Sequence, residues 1–441
     1  MKHNQWSSLL SIVLWLAAII FCCSIPQQSD FFLLLGGLIL VVCTYGWLNF
    51  SAVKANITLV IGVAVIARCL ATISFPNLSD DVFRFIWDGR LWHMGVHPFL
   101  MTPTDFLSSY DGLYEDLYGR LNSPDYYSIY PSIPQVIFWI STGTTSSIEG
   151  AAHVMQIIHA CIDLITIYLM IRLLKEVKLP RYRLLLYILH PLIIIELIAN
   201  LHHEVLVICF VLGCLLALKK EKIILSGILI SAAIASKVLP VLFCPLIFFY
   251  LKGNKRWSFF ITTLLSTFLL FAPLLLQQDI LVHLLDSADL YMRKFEFNAS
   301  IYYIYRTLGY WFYGYNLIHI IGPVLTLSTL AIIGCISLIP LKKHISFVDL
   351  IQLMMMVFLV YLFLSATVHP WYIGTVLALS IFTPYRMPLI WGLLIMLTYA
   401  NYGSTEYSEQ LWIVALEYVV VFALFIFELK KHKGFKLLTW K

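Results

Sequence analysis

Apolar segments separated by short polar stretches recur along nearly the whole chain. The hydrocarbon core of a bilayer is about 30 Å thick, so a helix that crosses it needs about 20 mostly apolar residues. The pattern therefore predicts an all-α polytopic membrane protein of about 12 to 14 transmembrane helices, with residues 1–441 as one integral membrane domain. The expected spans are 7–25, 31–50, 56–74, 151–174, 183–200, 203–219, 222–237, 238–252, 256–276, 316–341, 347–366, 369–383, 388–402 and 411–429.

The composition agrees with lipid as the main solvent of the chain. Of the 441 residues, 61% are hydrophobic and 12% are charged, whereas about 25% are charged in an average soluble domain. The first apolar run, 7–25, is longer than the hydrophobic region of a signal peptide and is not followed by a small-residue cleavage site. We therefore expect it to be the first span.

The lysines and arginines indicate an orientation in the membrane. When the amino terminus is placed in the cytoplasm, most of the 29 basic residues fall in cytoplasmic connections, as the positive-inside rule favours. Residues 430–441 then form a basic cytoplasmic tail. Residues 131–147 are expected to form an interfacial helix, because another span there would move the basic segment 175–183 to the outside.

This orientation leaves two long stretches outside the membrane, 75–150 and 277–315. Loops of this length are usually functional or disordered. Tryptophans and tyrosines occur throughout the first stretch, and their amphipathic rings favour the membrane interface. The pattern predicts a folded external loop over 75–150 that contains interfacial helices, and a second external loop over 277–315.

An acidic helix is predicted at the start of the first external loop. Ser79 can cap a helix whose first turn carries Asp80 and Asp81, where free amides and the helix dipole stabilise negative charge. At 100° per residue, Asp81 and Arg84 share one side with Phe85 and Asp88, and the opposite side is apolar. We expect this helix to lie flat on the membrane with its polar side exposed.

Other polar residues fall at the ends of spans on the same predicted side. Together with the acidic helix they form the set of candidate substrate-binding residues: Arg84, Asp88, Arg90, His202, His203, Glu204, Lys237, Arg293, Arg306, His369, Trp371 and Tyr372. Each has a simpler interpretation as well. Acids at a helix start are common caps, a histidine at a span end is often an interfacial hydrogen-bonding residue, and Trp-Tyr pairs often anchor a helix at the interface.

The set matches the needs of sugar transfer from a polyprenyl phosphate to a hydroxyl. A carboxylate, Asp81 or Asp80, can take the acceptor proton. Cations hold the phosphate that leaves with the lipid, for which the candidates are Lys237, Arg84, Arg293 and Arg306. The histidines can orient sugar hydroxyls or the phosphate, and Trp371 with Tyr372 can stack on a ring. Arg68, inside a span, can either snorkel outward or reach the donor phosphate.

Residues 79–90 (SDDVFRFIWDGR) and 95–98 (GVHP) resemble the first-loop signature of the GT-C integral-membrane glycosyltransferases, especially the mannosyltransferases that use polyprenyl-phosphate mannose. Phenylalanines replace the two tyrosines that are usual in the bacterial pattern, and His97 replaces an asparagine. Weaker similarity covers 130–135, 200–204 and 369–372.

The resemblance implies an inverting transfer of a sugar, most often mannose, from a polyprenyl-phosphate donor to a lipid-linked or glycan acceptor on the non-cytoplasmic face. It makes 75–150 the external catalytic loop and places the base in the acidic pair, with Asp81 preferred because it directly precedes the Val-Phe-Arg run. It implies no cofactor and no metal. The expected location is the inner membrane of a bacterium or the endoplasmic reticulum of a eukaryote.

A transporter or flippase of lipid-linked sugars is the alternative function. Transporters place binding residues near the midplane, on broken helices in repeated halves. Here the polar residues gather at span ends and no internal repeat is evident, which favours the transferase. A catalytically inactive protein of the same fold is a third possibility. The sequence leaves open the sugar, which can be mannose, glucose or arabinose, the acceptor and the oligomeric state.

Overall fold

The computed structural model describes residues 2–51, 57–110, 113–275, 279–280, 282–283, 295–403 and 408–432. Most of these residues are helical, and none of them lies in a strand. A single isolated bridge pairs Phe297 with Thr367 in parallel. The predicted all-α class is therefore confirmed for the part of the chain that is described.

The α-helices are numbered here in chain order. They are α1 (Lys2–Ser24), α2 (Phe31–Ser51), α3 (Ile57–Ala71), α4 (Asp81–His93), α5 (Pro103–Ser109), α6 (Glu115–Tyr118), α7 (Ser132–Thr144), α8 (Ile148–Glu176), α9 (Leu185–Ile188), α10 (Glu204–Lys219), α11 (Ile223–Ser236), α12 (Cys244–Tyr250), α13 (Asn254–Leu275), α14 (Ile301–Tyr313), α15 (Ile318–Ser337), α16 (Ile339–Lys342), α17 (Phe347–Leu364), α18 (Ile373–Ser380), α19 (Met387–Leu394) and α20 (Leu411–Lys431). Tighter 3₁₀ turns occupy Arg181–Leu184, Leu239–Phe243, Pro370–Tyr372 and Ile395–Tyr402, and Ile193–Ala199 is a π-helix.

Within the described ranges, six helices are long and apolar enough to cross a membrane. The count becomes seven if Arg181–Ile188 and Ile193–Ala199, which meet at a bend of 60°, form one span. Shorter apolar helices account for other expected spans: Leu9–Ser24, Ile57–Ala71, Ile223–Ser236, Leu239–Tyr250 and Met387–Tyr402. The chain is thus a helical membrane protein, and the full count of 12 to 14 spans stays a prediction.

The centre of the molecule is built around α10, which packs against α8, α11 and α18. Its sequence is apolar on all sides, and such a helix is normally buried; nearly every residue of α10 is indeed buried. Helices such as α13 instead leave large apolar side chains exposed, including Leu264 and Phe268. This outward face suits contact with lipid tails.

A buried polar cluster joins α3 and α8. Arg68 is fully buried, and its Nε donates to Asp163 at 2.5 Å while its Nη1 donates to the carbonyl of Ile188 at 2.9 Å. Asp163 also accepts from the hydroxyl of Tyr187 at 2.6 Å. The expectation that Arg68 snorkels outward or reaches a donor phosphate is therefore wrong: its guanidinium is held inside the helix bundle, where a charge persists only when paired.

The first long loop folds as the short helices α4 to α7, and α4 packs tightly on α7. A Cβ atom added to Gly89 would lie 2.5 Å from the carbonyl oxygen of Phe138, so glycine permits this close approach. The two sides of α4 are both covered, since Arg84 and Asp88 are buried along with the apolar residues. The expectation of an exposed polar side is wrong for these two residues.

Candidate active site

A cavity of about 590 Å³ lies where the amino end of α4 meets the amino end of α10 and the carboxyl end of α11. Its remaining walls come from the Pro370–Tyr372 turn and from side chains near Phe297 and Tyr402. The structure brings the following predicted residues together around it: Asp80, Asp81, Arg84, His202, His203, Glu204, Lys237, His369, Trp371 and Tyr372. These residues come from four separate parts of the chain and meet only in the folded protein.

The acidic wall is the start of α4. Asp80 is the residue before the helix and Asp81 is its first residue. The backbone N–H of Asp81 donates to Ser79 Oγ at 3.4 Å, and Asn122 donates from its side-chain amide to Asp81 Oδ1 at 3.0 Å. The side chain of Asp80 lines the cavity, and partial desolvation by the surrounding groups raises its pKa. The amide of Asn122 fixes one carboxylate oxygen of Asp81.

A basic part of the lining is formed around Lys237. Lys237, directly after α11, forms an ion pair with the buried carboxylate of Glu204. The Lys237 ammonium also lies 3.7 Å from the centre of the Tyr372 ring, a cation–π contact that favours the charged form. Asp81 is close enough to act electrostatically on Lys237. The Lys237 ammonium thus lies between the Glu204 carboxylate and the face of the Tyr372 ring.

A stack of rings forms a third wall. The centre of the Trp371 ring lies 3.4 Å from that of His202 and 4.5 Å from that of His369, with the planes nearly parallel. His369 in turn stacks on Phe297 at 4.6 Å. Behind the stack, His202 Nε2 lies 3.3 Å from a carboxylate oxygen of Glu196. Flat aromatic surfaces of this kind can pack on the apolar face of a ring-shaped ligand.

The non-helical segment between the π-helix and α10 places His202, His203 and Glu204 at the cavity. The π-helix Ile193–Ala199 ends at Asn200, whose side-chain amide donates to the carbonyl of Ile195 at 2.8 Å. Asn200 Oδ1 accepts from the backbone N–H of Leu78 at 3.0 Å. Leu201 then takes a left-handed conformation with φ of 64°. Asn200 therefore connects the segment that carries His202 and His203 to the residues that precede Asp80.

The model of the MptA_B family, described as alpha-(1->6)-mannopyranosyltransferase, N-terminal domain, matches residues 9–253. This is more than half of the chain. The chain belongs to this family. No curated protein and no solved structure matches it. It is accordingly a glycosyltransferase enzyme of a mannosyltransferase family, and such an enzyme requires a sugar donor and a glycan or lipid acceptor. Membership favours the transferase over the transporter that the sequence left open.

The family match covers two of the three walls of this mannosyltransferase's cavity. The acidic pair, the segment from His202 to Glu204 and Lys237 all lie within 9–253. The ring stack depends on Phe297 and on the turn at Pro370–Tyr372, which lie beyond the matched residues. The matched part therefore carries the charged groups, and the later part closes the cavity with aromatic side chains.

Three predicted residues do not line the cavity: Asp88, Arg90 and Arg306. Asp88 is fully buried and accepts from Arg84 Nε at 2.8 Å and from Gln135 Nε2 at 2.9 Å, in addition to Ser128. Arg90 donates to the carbonyl of Ser146 at 3.0 Å and lies over the Tyr114 ring.

Arg306 also does not line the cavity; its guanidinium pairs with Glu296 and lies over the Tyr303 ring at 4.3 Å. Arg293, the remaining candidate, lies outside the described residues. Arg84 does line the cavity, but its Nη1 donates to the carbonyl of Tyr126 at 2.8 Å. Arg84 thereby holds the chain around Tyr126 against α4.

Several lining residues were not predicted as site residues: Asn122, Phe297, Tyr399 and Tyr402. In the sequence, Asn122 and Tyr402 have polar neighbours of the kind found in any loop or at any span end, so they do not indicate a site. Phe297 reaches the cavity because its N–H donates to the carbonyl of Ala366 at 3.0 Å and its carbonyl accepts from Val368 at 2.8 Å. Only this long-range pairing brings Phe297 to His369, and nothing in the local sequence indicates it.

Proposed function

We propose that this enzyme transfers a mannosyl group from a polyprenyl-phosphate donor to a hydroxyl group of a glycan or lipid acceptor. The observation that carries the proposal is the placement of Asp80, Asp81 and Lys237 around one cavity. A carboxylate and a cation beside the same cavity supply the two charges that such a transfer needs. The mannosyltransferase family assignment supports the sugar.

The reaction needs one bond to form and one to break at the anomeric carbon. The acceptor hydroxyl oxygen attacks that carbon while the bond from carbon to the phosphate oxygen breaks. Asp81 takes the hydroxyl proton as general base. The electron pair of the broken bond leaves on the phosphate, which stays attached to the polyprenyl chain. With base and leaving group on opposite sides of the sugar, the configuration inverts.

Asp81 suits the role of base better than Asp80. The amide of Asn122 fixes one carboxylate oxygen of Asp81 at 3.0 Å and leaves the other available to an acceptor hydroxyl. A base acts only from within hydrogen-bond reach of its proton, so a fixed orientation matters. Asp80 lies just outside the helix and has no side-chain capping bond. Its carboxylate is better placed to bind a sugar hydroxyl.

Lys237 is suited to bind the phosphate of the leaving group. An ammonium carries three donors, so Lys237 can keep its ion pair with Glu204 and still donate to a phosphate oxygen in the cavity. A preorganised cation stabilises negative charge as it develops in the transition state. The rings of Trp371, His202 and His369 line the cavity and can pack against the mannosyl ring or the acceptor sugar.

We further propose that the cavity opens on the non-cytoplasmic face. The lining residues lie at the ends of α10 and α11 that are opposite to the lysine-rich turn at 219–222. The positive-inside rule places that turn in the cytoplasm. The segments 75–150 and 277–315 then lie outside and the tail 430–441 inside, in a membrane that the chain crosses about 12 to 14 times.

The test of this proposal is the choice of donor. The purified protein is incubated in vesicles with radiolabelled polyprenyl-phosphate mannose, polyprenyl-phosphate glucose, polyprenyl-phosphate arabinose and a nucleotide-linked mannose, each with the same glycan and lipid acceptors. We expect label to move to an acceptor from polyprenyl-phosphate mannose alone. Transfer from the nucleotide sugar instead would refute the lipid-phosphate donor, and transfer from another lipid-linked sugar would refute mannose.

A further inference from the structure

A second cavity, of about 780 Å³, lies where the carboxyl end of α10 meets the turn after α12 and the connection between α15 and α17. The residues that line it are Lys219, Phe249, Tyr250, Lys252, Arg256, Pro340, Leu341, Lys342, Lys343, His344, Ile345, Ser346 and Phe347. None of them belongs to the candidate active site.

The charge of this basic cavity is one-sided. Lysines and arginine make up a large share of its lining, and no aspartate or glutamate is among the described residues that line it. Lys219 lies 5.4 Å from the centre of the Phe347 ring, and Arg256 Nε donates to the carbonyl of Leu251 at 3.1 Å. These two cations are thus positioned by neutral groups, and their charges are not cancelled by those contacts.

Nearby carboxylates are engaged by other partners. Glu221 pairs with Lys255 at 3.0 Å, and Glu176 pairs with Lys220 at 3.1 Å. Asp349 accepts from the backbone N–H of Ser346 at 2.9 Å in the cap of α17. The acids closest in sequence therefore do not supply counter-charges inside the basic cavity.

The basic cavity lies at the opposite ends of the helices that build the candidate active site. Helix α10 carries Glu204 at one cavity and Lys219 at the other, and a rise of 1.5 Å per residue separates them by about 23 Å. Helix α17 begins with Phe347 at the basic cavity and ends five residues before His369. These lengths approach the thickness of the hydrocarbon core, about 30 Å, so the two cavities lie near opposite membrane surfaces.

Apolar side chains continue from the basic cavity toward the surface of the bundle. Leu341 lines it and is exposed, and Trp257, next to Arg256, is exposed as well. Exposed leucine and tryptophan near the end of a membrane helix are suited to the region where lipid headgroups meet acyl chains. A ligand with a negative head and apolar tails would match both parts of this surface.

We propose that the basic cavity binds the phosphate headgroup of an anionic phospholipid. The phosphate lies among Lys219, Lys252 and Arg256, and its oxygens accept charge-assisted hydrogen bonds from them. The acyl chains extend along the apolar surface near Leu341. Basic pockets between membrane helices on the cytoplasmic side commonly bind such headgroups, and this proposal does not depend on the proposed sugar transfer.

The test compares two exposed lysines in the cavity with two matched lysines outside it. The variant K219Q/K252Q removes two charges from the lining, and K220Q/K255Q removes two neighbouring charges that pair with Glu176 and Glu221. All four lysines are exposed, so neither variant should unfold the protein, which a thermal melt verifies. Binding of phosphatidylglycerol to the detergent-purified full chain is measured by native mass spectrometry, with phosphatidylcholine and inorganic phosphate as separate ligands.

We expect K219Q/K252Q to bind phosphatidylglycerol at least about tenfold more weakly than the unaltered protein, with K220Q/K255Q unchanged. Phosphatidylcholine should bind equally weakly to all three. Equal loss in both variants, or no loss in K219Q/K252Q, would overturn the proposal. Binding of inorganic phosphate as tightly as phosphatidylglycerol would show a site for the free anion, which also overturns it.

Discussion

At the scale of single residues, Lys237 links the two charged walls of the candidate active site. Its ammonium contacts the Glu204 carboxylate and the Tyr372 ring, and it lies within electrostatic reach of Asp81. The proposed role at the leaving phosphate requires its positive charge. A neutral side chain of similar length would keep the packing and lose that charge.

We therefore predict that Lys237→Gln lowers the rate constant of sugar transfer by about 10²- to 10³-fold, as expected when a group that stabilises transition-state charge is removed. The measurement is kcat with the polyprenyl-phosphate donor in vesicles. Lys255→Gln, which removes a lysine at the opposite ends of the helices, is the control and should keep full activity. A Lys237→Gln enzyme as active as this control would exclude the phosphate role.

Asp80 provides a separate prediction because burial at the cavity raises its pKa. A raised pKa means that Asp80 becomes protonated at a higher pH than a solvated aspartate does. If Asp80 were the base, the rate would fall with decreasing pH through that raised pKa, and this fall would disappear in Asp80→Asn together with most of the activity. We expect Asp80→Asn to retain the pH profile and a substantial rate, because Asp81 is the base. Loss of transfer in Asp80→Asn alone would reassign the base.

At the scale of elements, the position of α4 depends on its contact with α7. The sequence predicts a helix starting at Asp80 and Asp81 from its cap and charges, and the helix Asp81–His93 is present. It does not predict that the polar side is covered, because the covering residues near Tyr126 are distant in sequence. Hydrogen bonds from Arg84 to Asp88 and to the Tyr126 carbonyl make this burial of charge possible.

We predict that Gly89→Ala destabilises the protein by about 1 to 3 kcal/mol, since its Cβ would overlap the Phe138 carbonyl and force α4 away from α7. The control is Gly46→Ala, where the added Cβ meets no atom within 4 Å. Thermal melting of both variants in the same detergent gives the comparison. A melting temperature of Gly89→Ala equal to that of Gly46→Ala would contradict the tight contact of the two helices.

The broken helix before α10 shows a limit of sequence reasoning. The apolar pattern predicts spans at 183–200 and 203–219, and it indicates a boundary near Asn200. It gives no sign of the π-helix Ile193–Ala199 or of the left-handed Leu201, since neither has a distinctive composition. Both features adjoin Asn200, which accepts a long-range hydrogen bond from the backbone N–H of Leu78.

At the scale of the whole molecule, the sequence predicts what depends on residue type and order. The all-helical class, the membrane location and the family follow from apolar runs and from the segment around Asp81. The ion pairs of Arg68 with Asp163 and of Arg306 with Glu296 could not be predicted, because the order of residues does not identify which acid pairs with which base.

The orientation of the whole chain is tested by labelling from one side of the membrane. We predict that Ser109→Cys, an exposed position in 75–150, reacts with a membrane-impermeant maleimide in intact right-side-out vesicles. Lys255→Cys, on the opposite surface, should react only after permeabilisation. Both are compared with the unsubstituted protein, whose own cysteines set the background. The reverse pattern would place the candidate active site in the cytoplasm.

The most direct test of the central claim is sugar transfer by Asp81→Asn. The substitution keeps the size of the side chain and removes its ability to take a proton. Asp116→Asn, an exposed aspartate away from the cavity lining, is the matched control. With polyprenyl-phosphate mannose in vesicles, we predict that Asp81→Asn loses about 10²- to 10⁴-fold in rate while folding and expression stay unchanged, and that Asp116→Asn remains fully active. Equal activity of the two variants would contradict the account.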